Sequence, residues 1–372
     1  MDKKKEITVF IGRFSPFHNG HAEVLKRALE TSQVVLVLVG SSGQARTTKN
    51  PFTFEERRQM ITDYVRYLGA IWRPGQGGEL IVEPIYDHPY NDNKWIEGVQ
   101  AVVNRVKAEN TSLRGLSNWY NYLTGSDRDA TTWYLNAFGD FFEKDLITNH
   151  SAGLDLSATK IRDILFNTET LVELEVKLNK LVPSSTLSHL IAFVDHHPAY
   201  SELAKEYLYI ERYKESYKLA PYPVSIQTVD ACVIQSGHVL VCVRDNFPGK
   251  GLWCLPGGHL DIDLGERLLD AAIRELTEET RIELSKAQLY GSVRDKEVFD
   301  HPGRSLKGRV ITMAYLLKLD DTKPLPKVKP QKGEVKKVMW LPIAEALSSK
   351  NMDKWFDDHY SILETLYGRI KN

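Results

Sequence analysis

Six consecutive apolar residues, Val34 to Val39, leave no polar face, so a strand made from them must be covered on both sides. Parallel sheets sandwiched between helices bury strands in this way. The residues before this run fit such a sheet: Ile7 to Ile11 is apolar and rich in β-branched side chains, and Gly12 to Gly20 is turn-rich. Val24, Leu25, Ala28 and Leu29 then recur at helical spacing within His21 to Ser32. The chain therefore opens with a βαβ unit. The alternation continues with a helix from about Thr53 to Tyr67, a strand Leu80 to Ile85, and helices from about Trp95 to Val106 and Ser157 to Phe166. Open parallel sheets bind ligands beyond the carboxyl ends of their strands. The loop from Gly12 to Gly20 sits where chemistry is expected.

Between about Leu181 and Pro223 the texture changes to PSS, His-His-Pro, many Tyr and Glu, and finally APYP, which predicts a helix followed by an extended connection. From Ser225 strands dominate: Ile226 to Ile234, Val239 to Val243 and about Val310 to Lys318, with one helix from about Leu264 to Glu279. Lys323 to Glu334, KPLPKVKPQKGE, reads as a Pro-rich surface loop. At 372 residues and 42% hydrophobic content, the chain supports two cores, which we place at 1–182 and 224–372 with a connecting segment 183–223. Lys plus Arg number 48 against 49 Asp plus Glu, so no global charge excess holds a nucleic acid or an anionic membrane. Phosphate must be held locally. Cys232, Cys242 and Cys254 match no metal-site spacing and read as structural thiols of a reduced, cytoplasmic protein. No run of about eighteen apolar residues occurs. Composition leaves the oligomeric state open, and a homo-oligomer is compatible with it.

His18 and His21 lie in HNGH where the first loop meets the first helix, beside Gly12, Arg13, Phe14, Pro16 and Gly20. Backbone N–H groups at a helix start bind anions, and two imidazoles there can donate to phosphate oxygens as charge builds. The same four residues also serve as a simple helix cap. Gly12 to His21, GRFSPFHNGH, resembles the signature of the nucleotidyltransferase superfamily, and Leu156 to Arg162, LSATKIR, resembles its late ISSTxxR element. Arg46, Asn50-Pro51-Phe52-Thr53, Glu56-Arg57 and Met60-Ile61 are similar to the archaeal-type NMN adenylyltransferases. The resemblance covers roughly residues 6 to 170. It implies a Rossmann-like domain in which His18, His21 and Arg162 are catalytic. Gly12, Arg13, Phe14, His18, His21, Arg46, Ser157, Thr159 and Arg162 would bind ATP as substrate, and Asp87 and Trp95 the mononucleotide. Trp95 could equally belong to the core. The implied reaction is in-line attack of a 5′-phosphate on the α-phosphorus of ATP, with Mg²⁺ and the cationic side chains neutralising charge.

In the second half, Arg274-Glu275-Leu276-Thr277-Glu278-Glu279 falls on the expected helix, and i, i+3 and i+4 spacing gathers three carboxylates on one face. A hard divalent cation would remove their mutual repulsion, activate water and polarise a diphosphate. A solvated acidic face is the other reading of the hexapeptide alone. With Pro256-Gly257-Gly258 before it, Glu266 eight residues ahead of Arg274, and Ile282 after it, the stretch resembles the Nudix box, GX5EX7REUXEEXGU. The resemblance implies an α+β Nudix domain in which Glu278 and Glu279 are catalytic: Glu275 and Glu279 ligate the metal, Glu278 ligates it or assists as a base, Glu266 supports the metal shell, and Arg274 orients the glutamates. Two departures stand out. The first Gly of the motif falls on Leu260, so the loop after Gly258 is two residues longer, and Arg281 replaces the late Gly. Phe299 and Arg304, near Asp300, His301 and Arg309, are candidates to stack a base and hold phosphate. Glu334 is a further candidate carboxylate.

The order of these two segments resembles bifunctional NMN adenylyltransferase/Nudix hydrolases. That implies an α/β chain that binds small nucleotides: ATP and NMN giving NAD, and ADP-ribose cleaved to AMP and ribose 5-phosphate with Mg²⁺ or Mn²⁺. The alternatives are a different phosphorylated acceptor, or a Nudix domain that senses a ligand without cleaving it.

Overall fold

The computed structural model describes residues 4–72, 77–110, 120–125, 134–146, 156–263 and 265–370. Contacts divide the chain into two compact units, Met1–Ala204 and Lys205–Asn372. The first unit runs β1 (Lys5–Gly12), α1 (Asn19–Thr31), β2 (Ser32–Val39), α2 (Phe54–Ile71), β3 (Glu79–Pro84), α3 (Asp92–Glu109), β4 (Asn121–Gly125), β5 (Glu143–Leu146), α4 (Ala158–Asn167), α5 (Leu171–Leu178) and α6 (Ser184–His196). Helix α7 (Pro198–Glu215) follows, and the boundary between the units falls within it. The segment 183–223, expected as a helix and an extended stretch, thus carries two helices. The strands pair in the order β3-β2-β1-β4-β5, all parallel. Val34 to Val39 lie at 0–1% exposure in β2, as a strand without a polar face demands. Ile7, Val9, Leu36, Leu38, Val99, Val103 and Leu123 form one core between this sheet and α3.

Strands β1 and β2 end side by side, and their last carbonyls lie beyond the ladder. Arg57 of α2, at 1% exposure, donates to them: Nη1 to Arg13 O at 2.8 Å and Gly40 O at 2.7 Å, and Nη2 to Ser41 O at 3.4 Å. Burial pushes the guanidinium down to about 10, and it stays charged at neutral pH.

The second unit consists of β6 (Ser225–Gln235), β7 (His238–Arg244), β8 (Trp253–Cys254), β9 (Gly257–His259), α8 (Leu268–Thr280), α9 (Lys286–Gly291), β10 (Val293–Phe299), β11 (Arg309–Lys318), β12 (Val335–Pro342), α10 (Ile343–Ala346) and α11 (His359–Ile370). Its mixed sheet runs β10-β11-β6-β7-β12, with β9 on β6 and β8 on β7; β6 and β11 are the parallel pair. Helix α8 packs Ala271, Ala272, Ile273 and Leu276 against Val229, Ala231 and Val233 of β6. The Pro-rich segment is a strap across its C-terminus: Lys329 N donates to Thr280 O and Gln331 N to Glu279 O, taking carbonyls the helix leaves unpaired. Arg281 ends α8 in the left-handed region, φ 44° and ψ 39°. All three cysteines are buried thiols. Among the described residues, no helix is long and apolar enough to cross a membrane.

Two outcomes follow from this architecture. Replacing Arg57 by Met leaves buried carbonyls without donors, and hydrogen exchange at the amides of β1 and β2 should report opening easier by about 3 kcal/mol; unchanged protection would remove the guanidinium's structural role. Arg281→Gly relieves the left-handed strain of an exposed non-glycine residue and should raise stability by up to about 1 kcal/mol in urea unfolding followed in the second unit. A loss of stability would show instead that the Arg281 side chain makes a contribution outweighing its backbone.

Candidate active sites

In the first unit the loop after β1 bends back on itself. Phe14 adopts φ 51° and is buried, and its ring lies over Gly12 so closely that a Cβ there would meet it at 2.8 Å. That contact explains the glycine. The Phe14 ring also meets His21 edge-on, with centroids 4.9 Å apart at 70°. His18 is the N-cap of α1, its Nδ1 accepting from His21 N at 3.4 Å, while His21 Nδ1 accepts from His18 N at 3.3 Å. The helix is therefore capped reciprocally by two imidazoles, stacked with centroids 3.6 Å apart. Because Nδ1 accepts in both rings, the proton of each neutral imidazole sits on Nε2.

Arg162, on the first turns of α4, donates from Nη1 to Ser15 O at 2.7 Å and from Nη2 to Thr159 Oγ1 at 3.1 Å. It therefore ties the late motif to the early loop. Burial, with the charge of Arg13 beside it, pushes Arg162 down to about 10. Ser157 caps α4 by accepting from Lys160 N at 3.2 Å. Gly12, Arg13, Phe14, His18, His21, Ser157, Thr159 and Arg162 thus surround one loop. Arg46 is engaged differently: its guanidinium forks onto the Glu56 carboxylate at 2.9 and 3.0 Å and also donates to Pro51 O. Asp87 is likewise committed, accepting from Ser41 N at 3.2 Å and Ser41 Oγ at 2.6 Å. Trp95 is half-buried on the edge of the core against Tyr134 and Phe138.

In the second unit, Arg274 organises the carboxylates. Its Nε and Nη2 bind Glu266 at 3.0 and 2.7 Å, and its Nη1 reaches Glu275 at 2.9 Å and Glu278 at 3.1 Å. Residues 259–265 separate Gly258 from Glu266, seven where the motif has five. The longer loop closes on Glu266 itself, whose Oε1 accepts from Asp261 N at 2.7 Å, while Arg274 Nη2 donates to His259 O at 3.0 Å. Glu266 consequently keeps its place. The helix, expected from about Leu264, begins at Leu268.

Glu279 and Glu275 face the turn between β8 and β9. Glu279 Oε2 accepts from Gly257 N at 3.0 Å, and Gly258 lies against the Glu275 carboxylate, where a Cβ would meet Oε1 at 2.6 Å. Gly258, and not Leu260, is therefore the glycine that packs on this site. Burial pushes Glu279 up to about 8, and the nearby Glu275 and Asp230 carboxylates add to the shift against Gly257 N–H and Arg244. Glu275 is raised as well, by burial first and by Glu278 and Glu334 in smaller measure, against the pull of Arg274. Two oxygen-donor side chains held together with elevated proton affinity suit a hard divalent cation, which would take the place of those protons. Glu278 is half-exposed on Arg274, and among the described residues no group of three or more His, Cys, Asp or Glu is arranged to hold a metal. The fit thus rests on Glu275 and Glu279.

Phe299 and Arg304, expected at a substrate surface, are both buried. Phe299 is 1% exposed in the core, and Arg304 forks onto Asp358 at 2.9 Å through both Nε and Nη2, with both side chains buried. An aromatic residue ending a strand and an Arg in the following loop read as a binding loop from spacing alone, but here one fills the sheet and the other serves a buried ion pair. Sequence reasoning missed Arg244, whose guanidinium lies over the Phe356 ring at 4.1 Å, and it missed Asp230 and His359. Asp230 carried a signal, a carboxylate inside the apolar strand VDACVI; His359 carried none.

A Cytidylyltransferase-like family model matches residues 9–164 and a NUDIX domain model residues 225–366. The chain is 31% identical to a bifunctional NMN adenylyltransferase/ADP ribose pyrophosphatase from Francisella tularensis, solved with AMP and a Mn ion, over 98% of this chain and 99% of that one, with a TM-score of 0.82. It is 30% identical over 204 residues to the nicotinamide/nicotinic acid mononucleotide adenylyltransferase of Acinetobacter baylyi, covering 55% of this chain and 94% of the relative. The nicotinamide-nucleotide adenylyltransferase of Picrophilus torridus matches at 46% over 60 residues, about a third of that protein's length (36%). With both halves matched in order and nearly the whole length aligned, the chain belongs to the family of bifunctional NMN adenylyltransferase/ADP-ribose pyrophosphatases.

Proposed function

We propose that the chain synthesises NAD from NMN and ATP in its first domain, residues 1–182, and hydrolyses ADP-ribose to AMP and ribose 5-phosphate in its second, residues 224–372, with 183–223 connecting them. The observation that carries the first activity is the convergence of His18, His21, Arg13 and Arg162 on one loop, four groups able to donate to phosphate. Transfer needs no covalent intermediate. The mononucleotide phosphate attacks the α-phosphorus, pyrophosphate leaves, and the Nε2–H groups of His18 and His21 and the guanidinium of Arg162 stabilise charge as it moves onto the leaving oxygens. Arg46 reaches ATP only by sharing itself with Glu56, so we assign it to shaping the 46–57 segment as much as to binding. Asp87 acts on the mononucleotide through the Ser41 turn it holds, and Trp95 offers the exposed part of its ring.

For hydrolysis, Glu275 and Glu279 would hold the cation, Mg²⁺ or Mn²⁺. When bound, a divalent ion lowers the pKa of water and neutralises the diphosphate. The chain's own residues prepare that site: Gly257 N–H fixes one Glu279 oxygen, Arg274 holds Glu275, and Glu266 holds Arg274. Glu278, half-exposed, can swing from Arg274 to assist.

Two expected outcomes test these assignments. His18→Asn keeps a side chain that caps helices well but lacks the Nε2–H donor. NAD synthesis should fall at least a hundredfold in kcat with little change in the thermal midpoint, and full turnover would return His18 to a capping role. Glu279→Gln keeps size and removes charge, so Mn²⁺ binding and ADP-ribose cleavage should fall by orders of magnitude while NAD synthesis persists. Retained cleavage would remove Glu279 from the site. Mn²⁺ and ADP-ribose binding without cleavage by the unaltered protein would favour a ligand-sensing second domain.

A further inference from the structure

The turn 255–258, which both metal-facing glutamates touch, is not held by the Nudix helix alone. Leu255 N, buried, donates to His359 Nδ1 at 3.1 Å. Pro256 O accepts from Ala231 N at 2.8 Å, and Trp253 O accepts from Phe356 N at 2.8 Å. Gly257 stands so close to β6 that a Cβ would meet Val229 O at 2.2 Å and Asp230 Oδ1 at 2.6 Å. Asp230 in turn accepts from Thr312 Oγ1 at 2.6 Å and approaches His359 Nδ1 at 3.8 Å. His359 opens α11, directly after Asp358, which the buried guanidinium of Arg304 grips with two bonds. A line of contacts therefore runs from Arg304 through Asp358 and His359 to Leu255, and along the turn to Gly257 N–H on Glu279 and Gly258 on Glu275.

We propose that His359, anchored by the Arg304–Asp358 pair, is a positioning residue for the hydrolase site: it fixes the 255–258 turn and, through the backbone of Gly257 and Gly258, the two carboxylates that take the metal. The assignment rests on the hydrolase reading above. His359 suits the task because Nδ1 must accept, and an imidazole in that state is neutral at Nδ1 with its proton on Nε2. Burial reinforces this, pushing His359 down to about 3. Burial raises Asp230 as well, against the pull of Arg304 and Thr312, and with His359 neutral the 3.8 Å approach is not an ion pair. Groups outside the ligand shell that orient ligands typically matter by ten- to a hundredfold in metal affinity.

The test measures Mn²⁺ binding to the full chain by electron paramagnetic resonance, without substrate, alongside ADP-ribose cleavage; NAD synthesis by the same samples reports recovery of active protein. His359→Ala strips Leu255 N–H of its acceptor and should weaken Mn²⁺ binding about tenfold or more and lower kcat for cleavage. His359→Asn places an amide oxygen near the position of Nδ1 and should restore most of both, which a loss of bulk packing would not allow. If His359→Ala is not recovered folded, His359→Gln takes its place, since it carries the acceptor on a longer arm: weaker Mn²⁺ binding than His359→Asn supports the proposal, and equal binding overturns it. Unchanged Mn²⁺ binding and cleavage in a folded His359→Ala also overturn it. Glu279→Gln separates the two levels. If that change abolishes Mn²⁺ binding while His359→Ala does not, only the positioning role fails; if neither change affects Mn²⁺, the site reading fails and this inference with it.

Discussion

The guanidinium of Arg57 is almost fully withdrawn from water: Nε donates to Thr53 O, and Nη1 and Nη2 donate to three carbonyls at the ends of two neighbouring strands. Burying a charge is costly, and only a full set of hydrogen bonds makes it tolerable. Here all of the set but the Thr53 bond is made by the backbone of Arg13, Gly40 and Ser41, the points at which β1 and β2 become loops. The loop carrying His18 and His21 begins at one of these points, and the turn held by Asp87 begins at another. An apolar residue in place of Arg57 would pack as well and leave both loops without their common anchor. The positions of the groups proposed to face phosphate therefore depend on an arginine buried beneath their loops.

The second unit meets the opposite difficulty, too many negative charges in a small volume. Arg274 answers part of it, since its five donors in a planar fork serve Glu266, Glu275, Glu278 and His259 O together. Glu279 receives only one backbone N–H and remains in a state that favours a proton, up to about 8. The asymmetry is informative. Glu266 is held low by Arg274, which identifies it as the partner that orients the arginine, whereas the groups left wanting positive charge are Glu279 and Glu275.

Regular burial made much of this legible. Val34 to Val39 declares a strand covered on both faces, and Ala271, Ala272, Ile273 and Leu276 place one side of α8 in the core, so the opening βαβ unit and the motif-bearing helix follow from pattern, whereas the order of the sheet does not. Strands at the margins carry a weaker signal: β10, with alternating half-buried and exposed residues, and β12, with Lys336 and Lys337 at its start, read as polar segments. The motifs pointed to His18, His21 and the candidate glutamates through partners near in sequence, and to Arg162 only by its own motif, since its partner Ser15 lies 147 residues away. Spacing could not reveal that Arg304 faces Asp358 or that His359 faces Leu255, separated by 54 and 104 residues. Such pairs exist only once β6, β9 and α11 have assembled. The same limit explains Phe299, whose place at a strand end suggested exposure but whose side of the sheet is set by β11.

The two ends of α1 and α2 show why a histidine, in particular, opens the first helix. Helix α2 is capped by Thr53 and Glu56 in the usual reciprocal manner, and Ser157, Thr170 and Ser285 cap α4, α5 and α9. In each of those caps a single hydroxyl oxygen accepts from the helix, so any donor left for a ligand is on the same atom. In α1 the acceptors are Nδ1 atoms, and the proton of each ring is thereby confined to Nε2, on the other side of a rigid plane. A neutral imidazole accepts at one ring nitrogen and donates from the other, about two ångströms away across a rigid ring. Stacking at 3.6 Å keeps the two planes nearly parallel, so both donors are aimed by the same backbone bonds that start the helix. Capping and the proposed phosphate recognition are then one arrangement, and disturbing the helix start misaims the donors even when both rings are present.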